Sequence, residues 1–185
     1  MRTRGPGESA LLLLDAAALL ADEGIPYAVI GGLAAAVHGS IRASNDADAV
    51  LSVNAAGLRQ LDKKFLAAGF QTQLKTSGFD DPIPAVLVLH DGYGNKVDLL
   101  AGLRGLESAA FSRAVIVPFD GEALRVIGRE DFIAMKVFAG GPKDMADALT
   151  ALRVAGAATD LELVRRLARL YGKSTLEAFE RMLKQ

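Results

Sequence analysis

The spacing of hydrophobic and polar positions changes along the chain from a helical period to short apolar runs. An Ala/Leu-rich amphipathic pattern over residues 8–23, ended by Gly24 and Pro26, predicts a first helix. Short apolar or β-branched runs bounded by turn residues predict strands. The predicted strands cover residues 27–30, 46–53, 70–74, 85–90, 96–100, 114–117 and 123–126.

Helical patterns lie between these strands and dominate the last part of the chain. The predicted helices cover residues 33–38, 55–68, 130–138, 143–154, 160–171 and 174–183, and a loop is predicted over 75–84. The order of elements predicts an α/β (α+β) protein. Its first unit covers residues 1–128, and a helical region over 129–185 packs on it.

Composition narrows the classes of protein that this pattern can represent. The 185 residues are 51% hydrophobic, which is enough for a buried core. The 21 Lys and Arg residues nearly balance the 22 Asp and Glu residues, and this near-neutral charge argues against an avid, indiscriminate nucleic-acid binder. The absence of cysteine excludes disulfides, thiol catalysis and thiolate zinc sites. No apolar stretch reaches the ~20 residues of a membrane span. We therefore expect a soluble, cytoplasmic protein without a membrane partner.

Three aspartates form the candidate chemistry. Asp46 and Asp48 are two residues apart in a predicted strand, so their side chains point to one face with Cα atoms ~7 Å apart. Alone, such a pair is more simply a pair of solvated acids. Asp98 is the only acid in the apolar run 96–100, where an unpaired carboxylate is costly. Three oxygen ligands on adjacent strands suit Mg²⁺ or Mn²⁺.

A glycine pair supplies a second element of the site. Gly31 and Gly32 follow the strand 27–30 and precede a short helix, a position where phosphate can approach the backbone. Carboxylates near a glycine turn suggest metal-assisted phosphoryl or nucleotidyl chemistry.

The order of these residues resembles the polymerase-β-type nucleotidyltransferase superfamily. Five positions resemble the "G-x-x-R-x-T-x-D-x-D" signature of its abortive-infection (AbiEii-like, type IV toxin–antitoxin) branch: Gly39, Arg42, Ser44, Asp46 and Asp48. Residues 130–136 and 141–147 are similar to the second signature of that branch, a lysine-bearing helix followed by an R-x-K-D-x-x-D stretch. The resemblance covers about residues 27–150.

The resemblance implies a fold, an activity and roles for residues. It implies a polymerase-β-like core with a mixed twisted sheet flanked by helices, and transfer of a nucleoside monophosphate from an NTP to a hydroxyl of tRNA, protein or a small molecule. Asp46, Asp48 and Asp98 would be the catalytic metal ligands for Mg²⁺ or Mn²⁺. The implied nucleotide-binding residues are Gly31, Gly32, Arg42, Ser44, Lys136 and Asp144. A toxin-type enzyme would also have an antitoxin-like protein partner.

Departures from the family pattern leave alternatives open. Ala47 and Ala49 replace large aliphatic residues, Ser44 replaces threonine, and Gly141 stands where the branch usually has arginine. An antibiotic-modifying nucleotidyltransferase would need the same three acids. A non-catalytic nucleotide-binding or partner-binding module with this fold is the other alternative, and Gly141 is its main support.

Two further groups of residues are interpreted as structural. His38, at the end of a predicted helix, is expected to pack or cap rather than bind nucleotide. The basic residues on the third of the C-terminal helices are interpreted as a solvated face in preference to a tRNA-binding face. They are Arg165, Arg166, Arg169 and Lys173.

Overall fold

A computed structural model describes residues 1–41, 44–78 and 80–184. Within these residues, one seven-stranded sheet has the strand order β3-β4-β5-β2-β1-β7-β6. The strands are β1 (Tyr27–Ile30), β2 (Asp46–Leu51), β3 (Gln71–Thr76), β4 (Ala85–His90), β5 (Lys96–Ala101), β6 (Val115–Phe119) and β7 (Glu122–Val126).

Helices separate the first strands and make up the C-terminal part. They are α1 (Ser9–Asp22), α2 (Gly31–Val37), α3 (Ala55–Ala67), α4 (Arg129–Ala139), α5 (Pro142–Ala155), α6 (Leu161–Tyr171) and α7 (Lys173–Met182). Short 3₁₀ turns lie at Ser108–Phe111 and Gly156–Ala158. Among the described residues, no helix is long and apolar enough to cross a membrane.

The sheet is mixed, and its centre joins strands that are distant in sequence. β1 is antiparallel to its neighbour β2 and parallel to its other neighbour, β7. β2 is parallel to β5. β4 and β5 form an antiparallel hairpin. Its turn is held by Asp91, whose Oδ1 accepts hydrogen bonds from the backbone N–H groups of Tyr93 (2.8 Å) and Asn95 (3.0 Å).

One hydrophobic core runs from the sheet into the C-terminal helices. Leu12, Phe65, Leu99, Phe132 and Phe179 are fully buried members of it, contributed by α1, α3, β5, α4 and α7. Burial of aromatic and aliphatic side chains of this size is the main favourable term for folding. The expected α/β fold class with a mixed sheet flanked by helices is confirmed.

Some predicted boundaries were wrong. Gly31 and Gly32 are the first residues of α2, whereas the sequence indicated a helix from residue 33. β3 continues to Thr76, into the predicted loop, and β2 ends at Leu51 instead of residue 53. β3 is a largely exposed strand with few apolar residues, so its length is set by pairing with β4.

Candidate active site

The three predicted acids lie on one face of two neighbouring strands. Asp46 and Asp48 are on β2 and Asp98 is on β5. The parallel register pairs Asp48 with Asp98 and Asp46 with Lys96. The residues that alternate with them point to the other face and are buried: Ala47, Ala49, Val97 and Leu99. The alternation of strand side chains therefore places the acids together, away from the core.

Lys96 completes the group as a fourth member. Its Nζ lies 2.8 Å from Oδ2 of Asp98 and 3.4 Å from Oδ2 of Asp46. The hydrogen bond to Asp98 raises the pKa of Lys96. Lys96 was not among the predicted site residues, although its position two residues before Asp98 in a strand indicated that both side chains share a face.

Asp48 is partly buried, next to the start of α2. Burial raises the pKa of its carboxyl, and the charges of Asp98 and Asp46 raise it further. Gly31 lies directly against it, because a Cβ at this position would be 2.0 Å from Oδ2 of Asp48. Gly31 also has a φ of +63°, which disfavours any other residue.

The carboxylate oxygens of the three aspartates are the ligand type that a divalent cation requires. In this structure, however, Asp46 and Asp98 contact the ammonium group of Lys96. Within the described residues, Oδ1 of Asp98 is buried and has no hydrogen-bond partner, which leaves one carboxylate oxygen unused. No three acidic or histidine side chains of this part of the chain converge on a common metal position. The ammonium group of Lys96 lies between Asp46 and Asp98. The oxygen atoms therefore fit Mg²⁺ or Mn²⁺ in chemistry, although in this structure they surround an ammonium group.

A cleft of about 300 Å³ lies beside Asp48, the member of the three acids that lines it. Asp48, Lys136 and Asp144 supply its charged groups. The remaining walls are largely apolar and include Ile30, Ile83, Leu100, Met135 and Phe138. A cleft with apolar walls and a few convergent polar groups is the usual form of a small-molecule site.

Lys136 reaches this cleft from the last turn of α4 and is held by two carboxylates of α5. Its Nζ lies 2.7 Å from Oδ1 of Asp144 and 3.2 Å from Oδ2 of Asp147. Ser40 Oγ donates a hydrogen bond of 2.7 Å to Oδ1 of Asp147. Asp147 is only 2% exposed. The packing of α5 on α4 thus pairs the buried Asp147 with Lys136.

Gly32 and Ser44 are the other predicted nucleotide-binding residues that the structure describes. Gly32 is buried in the first turn of α2. Ser44 Oγ donates a hydrogen bond of 3.0 Å to the carbonyl oxygen of Asp46. Arg42 lies outside the described residues. Gly141 is the N-cap of α5, where a Cβ would be 3.0 Å from Oδ2 of Asp144.

The residues interpreted as structural have structural contacts. His38 is buried, packs against Phe132 at 4.9 Å between ring centroids, and donates from Nε2 to the carbonyl oxygen of Ile127 at 2.9 Å. Burial lowers the pKa of His38, so its neutral form is favoured.

Three of the four basic residues form ion pairs with glutamates: Arg165 and Arg166 on α6, and Lys173, the first residue of α7, which lies 3.8 Å from Glu177. Arg165 binds Glu162 and Glu180, each at 2.6 Å. Arg166 binds both carboxylate oxygens of Glu107 at 2.8 Å. These contacts agree with a solvated, ion-paired face.

Comparison with known proteins adds evidence on the fold. No family model and no curated protein matches the sequence. Among solved structures, an antigenic nucleotidyltransferase-like protein from Paracoccidioides brasiliensis is similar, with a TM-score of 0.55 and 16% identity over 94% of this chain and 92% of that one. The chain has a nucleotidyltransferase fold.

Two structures of the antibiotic-resistance factor ANT(2″)-Ia share this fold. The crystal structure of its complex with adenylyl-2″-tobramycin gives a TM-score of 0.57 and 15% identity, covering 88% of this chain and 98% of that one. The solution structure gives the same TM-score and identity over 94% and 96% of the two chains. The nucleotidyltransferase fold found here agrees with the superfamily resemblance of the sequence.

Proposed function

We propose that this protein is a nucleotidyltransferase that uses Mg²⁺ or Mn²⁺ to move a nucleoside monophosphate from an NTP to a hydroxyl group. The observation that carries the proposal is the pairing of Asp48 with Asp98 across parallel strands, with Asp46 on the same face. The nucleotidyltransferase fold supports it.

Each residue of the site has a role in this proposal. Asp46, Asp48 and Asp98 hold the cation, which when bound would neutralise phosphate charge and favour the ionised form of the attacking hydroxyl. Asp98 also orients the acceptor hydroxyl and accepts its proton. The bond from that hydroxyl to the α-phosphorus forms as the bond to pyrophosphate breaks, and catalysis rests on positioning and electrostatics.

The nucleotide would occupy the cleft beside the acids. Lys136 contributes positive charge to its wall and Gly31 leaves room next to Asp48. Gly32, Ser44, Asp144 and Arg42 keep their proposed nucleotide-binding roles on the strength of the family signature. The C-terminal helical region over 129–185 carries Lys136 and Asp144 in the proposed division of the chain.

The acceptor that we favour is a hydroxyl of a small molecule. ANT(2″)-Ia, whose crystal structure holds adenylyl-2″-tobramycin, is covered over 98% of its length by this chain. The toxin-type alternative, with a tRNA or protein acceptor and an antitoxin-like partner, rests on the signature from Gly39 to Asp48 and on the Lys136 segment.

Labelled NTPs test the activity and the class of acceptor together. Each α-labelled NTP is incubated with Mg²⁺ and a cell extract, and the label is followed into RNA, protein and small molecules. Asp46→Ala or Asp98→Ala should lower transfer on the order of 10³-fold while the fold is retained, because each removes charge stabilisation of the transition state. Full activity of either variant would show the metal assignment to be wrong.

A non-catalytic nucleotide-binding module is the second candidate. The pairing of Lys96 with Asp46 and Asp98 favours it, since these carboxylates already have a cation partner. Isothermal titration with NTP and Mg²⁺ separates the candidates when combined with the label assay. Binding with no transfer to any acceptor would support the module, and no binding at all would contradict the enzyme.

A further inference from the structure

The three carboxylates and Lys96 occupy four neighbouring positions on one face of the sheet. Asp46 and Lys96 form one register pair, and Asp48 and Asp98 form the next pair on the same face. The Lys96 ammonium group contacts carboxylates from both strands, at 2.8 Å to Asp98 and 3.4 Å to Asp46. It therefore occupies the position that a cation shared by these two acids would take.

We propose that Lys96 is the internal counter-ion of the acid cluster and that a divalent cation must displace its ammonium group to bind Asp46 and Asp98. This inference rests on the proposed function, because it requires a metal site at these acids. It gives Lys96 a role in setting the affinity of the acid cluster for the metal.

The side chain of Lys96 is suited to such an exchange. It is 29% exposed, and a lysine has a flexible four-carbon stem with a strongly hydrated ammonium group, so it can swing into solvent. Asp98 holds Lys96 with Oδ2 only, while its buried Oδ1 has no partner within the described part of the chain. Withdrawal of Lys96 would therefore free Oδ2 of Asp98, while Oδ1 has no hydrogen bond to the described residues to give up.

Electrostatics explain why the cluster needs a counter-ion. Three carboxylates at neighbouring register positions on one face repel one another, because like charges lie close together. Lys96 reduces the repulsion in the metal-free protein. When the metal enters, a unit positive charge leaves the site as a double charge arrives, so the ammonium group opposes metal binding by competition for the same oxygens.

Mn²⁺ binding without nucleotide tests the proposal directly. Free Mn²⁺ is measured by electron paramagnetic resonance for the wild type and for Lys96→Met, Lys96→Arg and Lys75→Met. Lys96→Met should bind Mn²⁺ at least tenfold more tightly, whereas charge-retaining Lys96→Arg should stay within about threefold of the wild type. Lys75 is an exposed lysine on β3, so Lys75→Met should leave the affinity unchanged.

Thermal unfolding in the presence of a chelator gives a second readout. Lys96→Met should melt at a lower temperature than the wild type, because its carboxylates repel without compensation, and Mg²⁺ should raise its melting temperature more than that of the wild type. If circular dichroism shows Lys96→Met to be unfolded, Lys96→Gln takes its place with the same expectations.

The failures of the two proposals are distinguishable with Asp48→Asn as the reference. If Asp48→Asn abolishes Mn²⁺ binding but Lys96→Met binds no more tightly than the wild type, Lys96 does not compete with metal and only this inference is overturned. If the wild type and Lys96→Met both bind no better than Asp48→Asn, the metal site is absent and the proposed function fails as well.

Discussion

At the scale of single residues, the position of the Asp48 carboxylate depends on the absence of a side chain at Gly31. Asp48 is enclosed, and burial and the neighbouring acids raise the pKa of its carboxyl. Gly31 makes this enclosure possible, since any side chain there would collide with Oδ2 of Asp48. The fold thus keeps a carboxylate in an environment that opposes its charge, which is common at functional sites.

The pKa of Asp48 predicts an unusual effect on stability. Because folding raises this pKa above its ordinary value of 3.8, the carboxyl stabilises the fold at low pH and loses that contribution as pH rises through the folded pKa. Asp48→Asn should therefore raise the melting temperature of the metal-free protein at pH 7, by about 2–4 °C per kcal/mol. The difference from the wild type should shrink towards pH 4. A variant that is less stable than the wild type at pH 7 would contradict this.

Gly31→Ala should destabilise the protein for two separable reasons. Its positive φ costs a side chain roughly 1–2 kcal/mol, and the new Cβ must also push Asp48 aside. Gly24→Ala is the matched control, because Gly24 has a φ of +65° and no neighbouring atom within 4 Å of an added Cβ. In urea unfolding, Gly31→Ala should lose more free energy of unfolding than Gly24→Ala, and equal losses would show that the contact with Asp48 has no cost.

At the scale of elements, α4 and α5 act as a pair that presents one lysine to the cleft. Lys136 comes from α4, and its two carboxylate partners, Asp144 and Asp147, come from α5. Ser40 binds the buried Asp147 and so connects the segment after α2 to this pair. Movement of α5 relative to α4 would therefore change the position of the Lys136 ammonium group.

Lys136→Met should weaken both folding and nucleotide binding. It removes one partner of the buried Asp147 carboxylate, which keeps its hydrogen bond from Ser40, so a loss of about 1–3 kcal/mol is expected. Urea unfolding measures this loss, and titration with Mg²⁺ and NTP well below the melting temperature measures affinity. Lys143→Met, an exposed lysine on the same α5 helix, should change neither quantity. Unchanged nucleotide affinity in Lys136→Met would remove Lys136 from the proposed site.

At the scale of the whole molecule, an ion network joins the C-terminal helices to the sheet. Arg113, which precedes β6, makes two hydrogen bonds of 2.7 Å to the buried Asp131 of α4. Arg113 also contacts Glu107 at 2.8 Å, and Glu107 binds Arg166 of α6. With the shared hydrophobic core, these contacts tie residues 129–184 to the sheet.

Glu107 gives this network a pH dependence. Its hydrogen bonds to Arg166, then to Arg113, lower the pKa of Glu107 to about 2 from its ordinary value of 4.5. A lowered folded pKa stabilises the protein above pH 4.5, and this contribution is lost as pH falls towards 2. Glu107→Gln should therefore lose less stability than the wild type between pH 5 and pH 2 in thermal unfolding. If stability falls equally with pH in the two proteins over that range, the ion pairs of Glu107 do not contribute to stability.

Much of the site was predictable because strand periodicity is a local property. The alternation in β2 and β5 predicted which face Asp46, Asp48 and Asp98 occupy, and the structure confirms that face. Asp98 was recognisable as a single acid in an apolar run. Lys96 and Asp147 were missed as members of the site, because their partners are set by strand register and by helix packing across many residues.

The sequence by itself determined the α/β class, most helices and strands, and the identity of the acids, because these follow from local periodicity and from side-chain chemistry. Only the tertiary structure decided that Asp48 pairs with Asp98, that Lys96 lies between Asp46 and Asp98, and that Gly31 abuts Asp48. These relations arise where β2 joins β5, a strand 45 or more positions away in the chain, and no local pattern specifies that register.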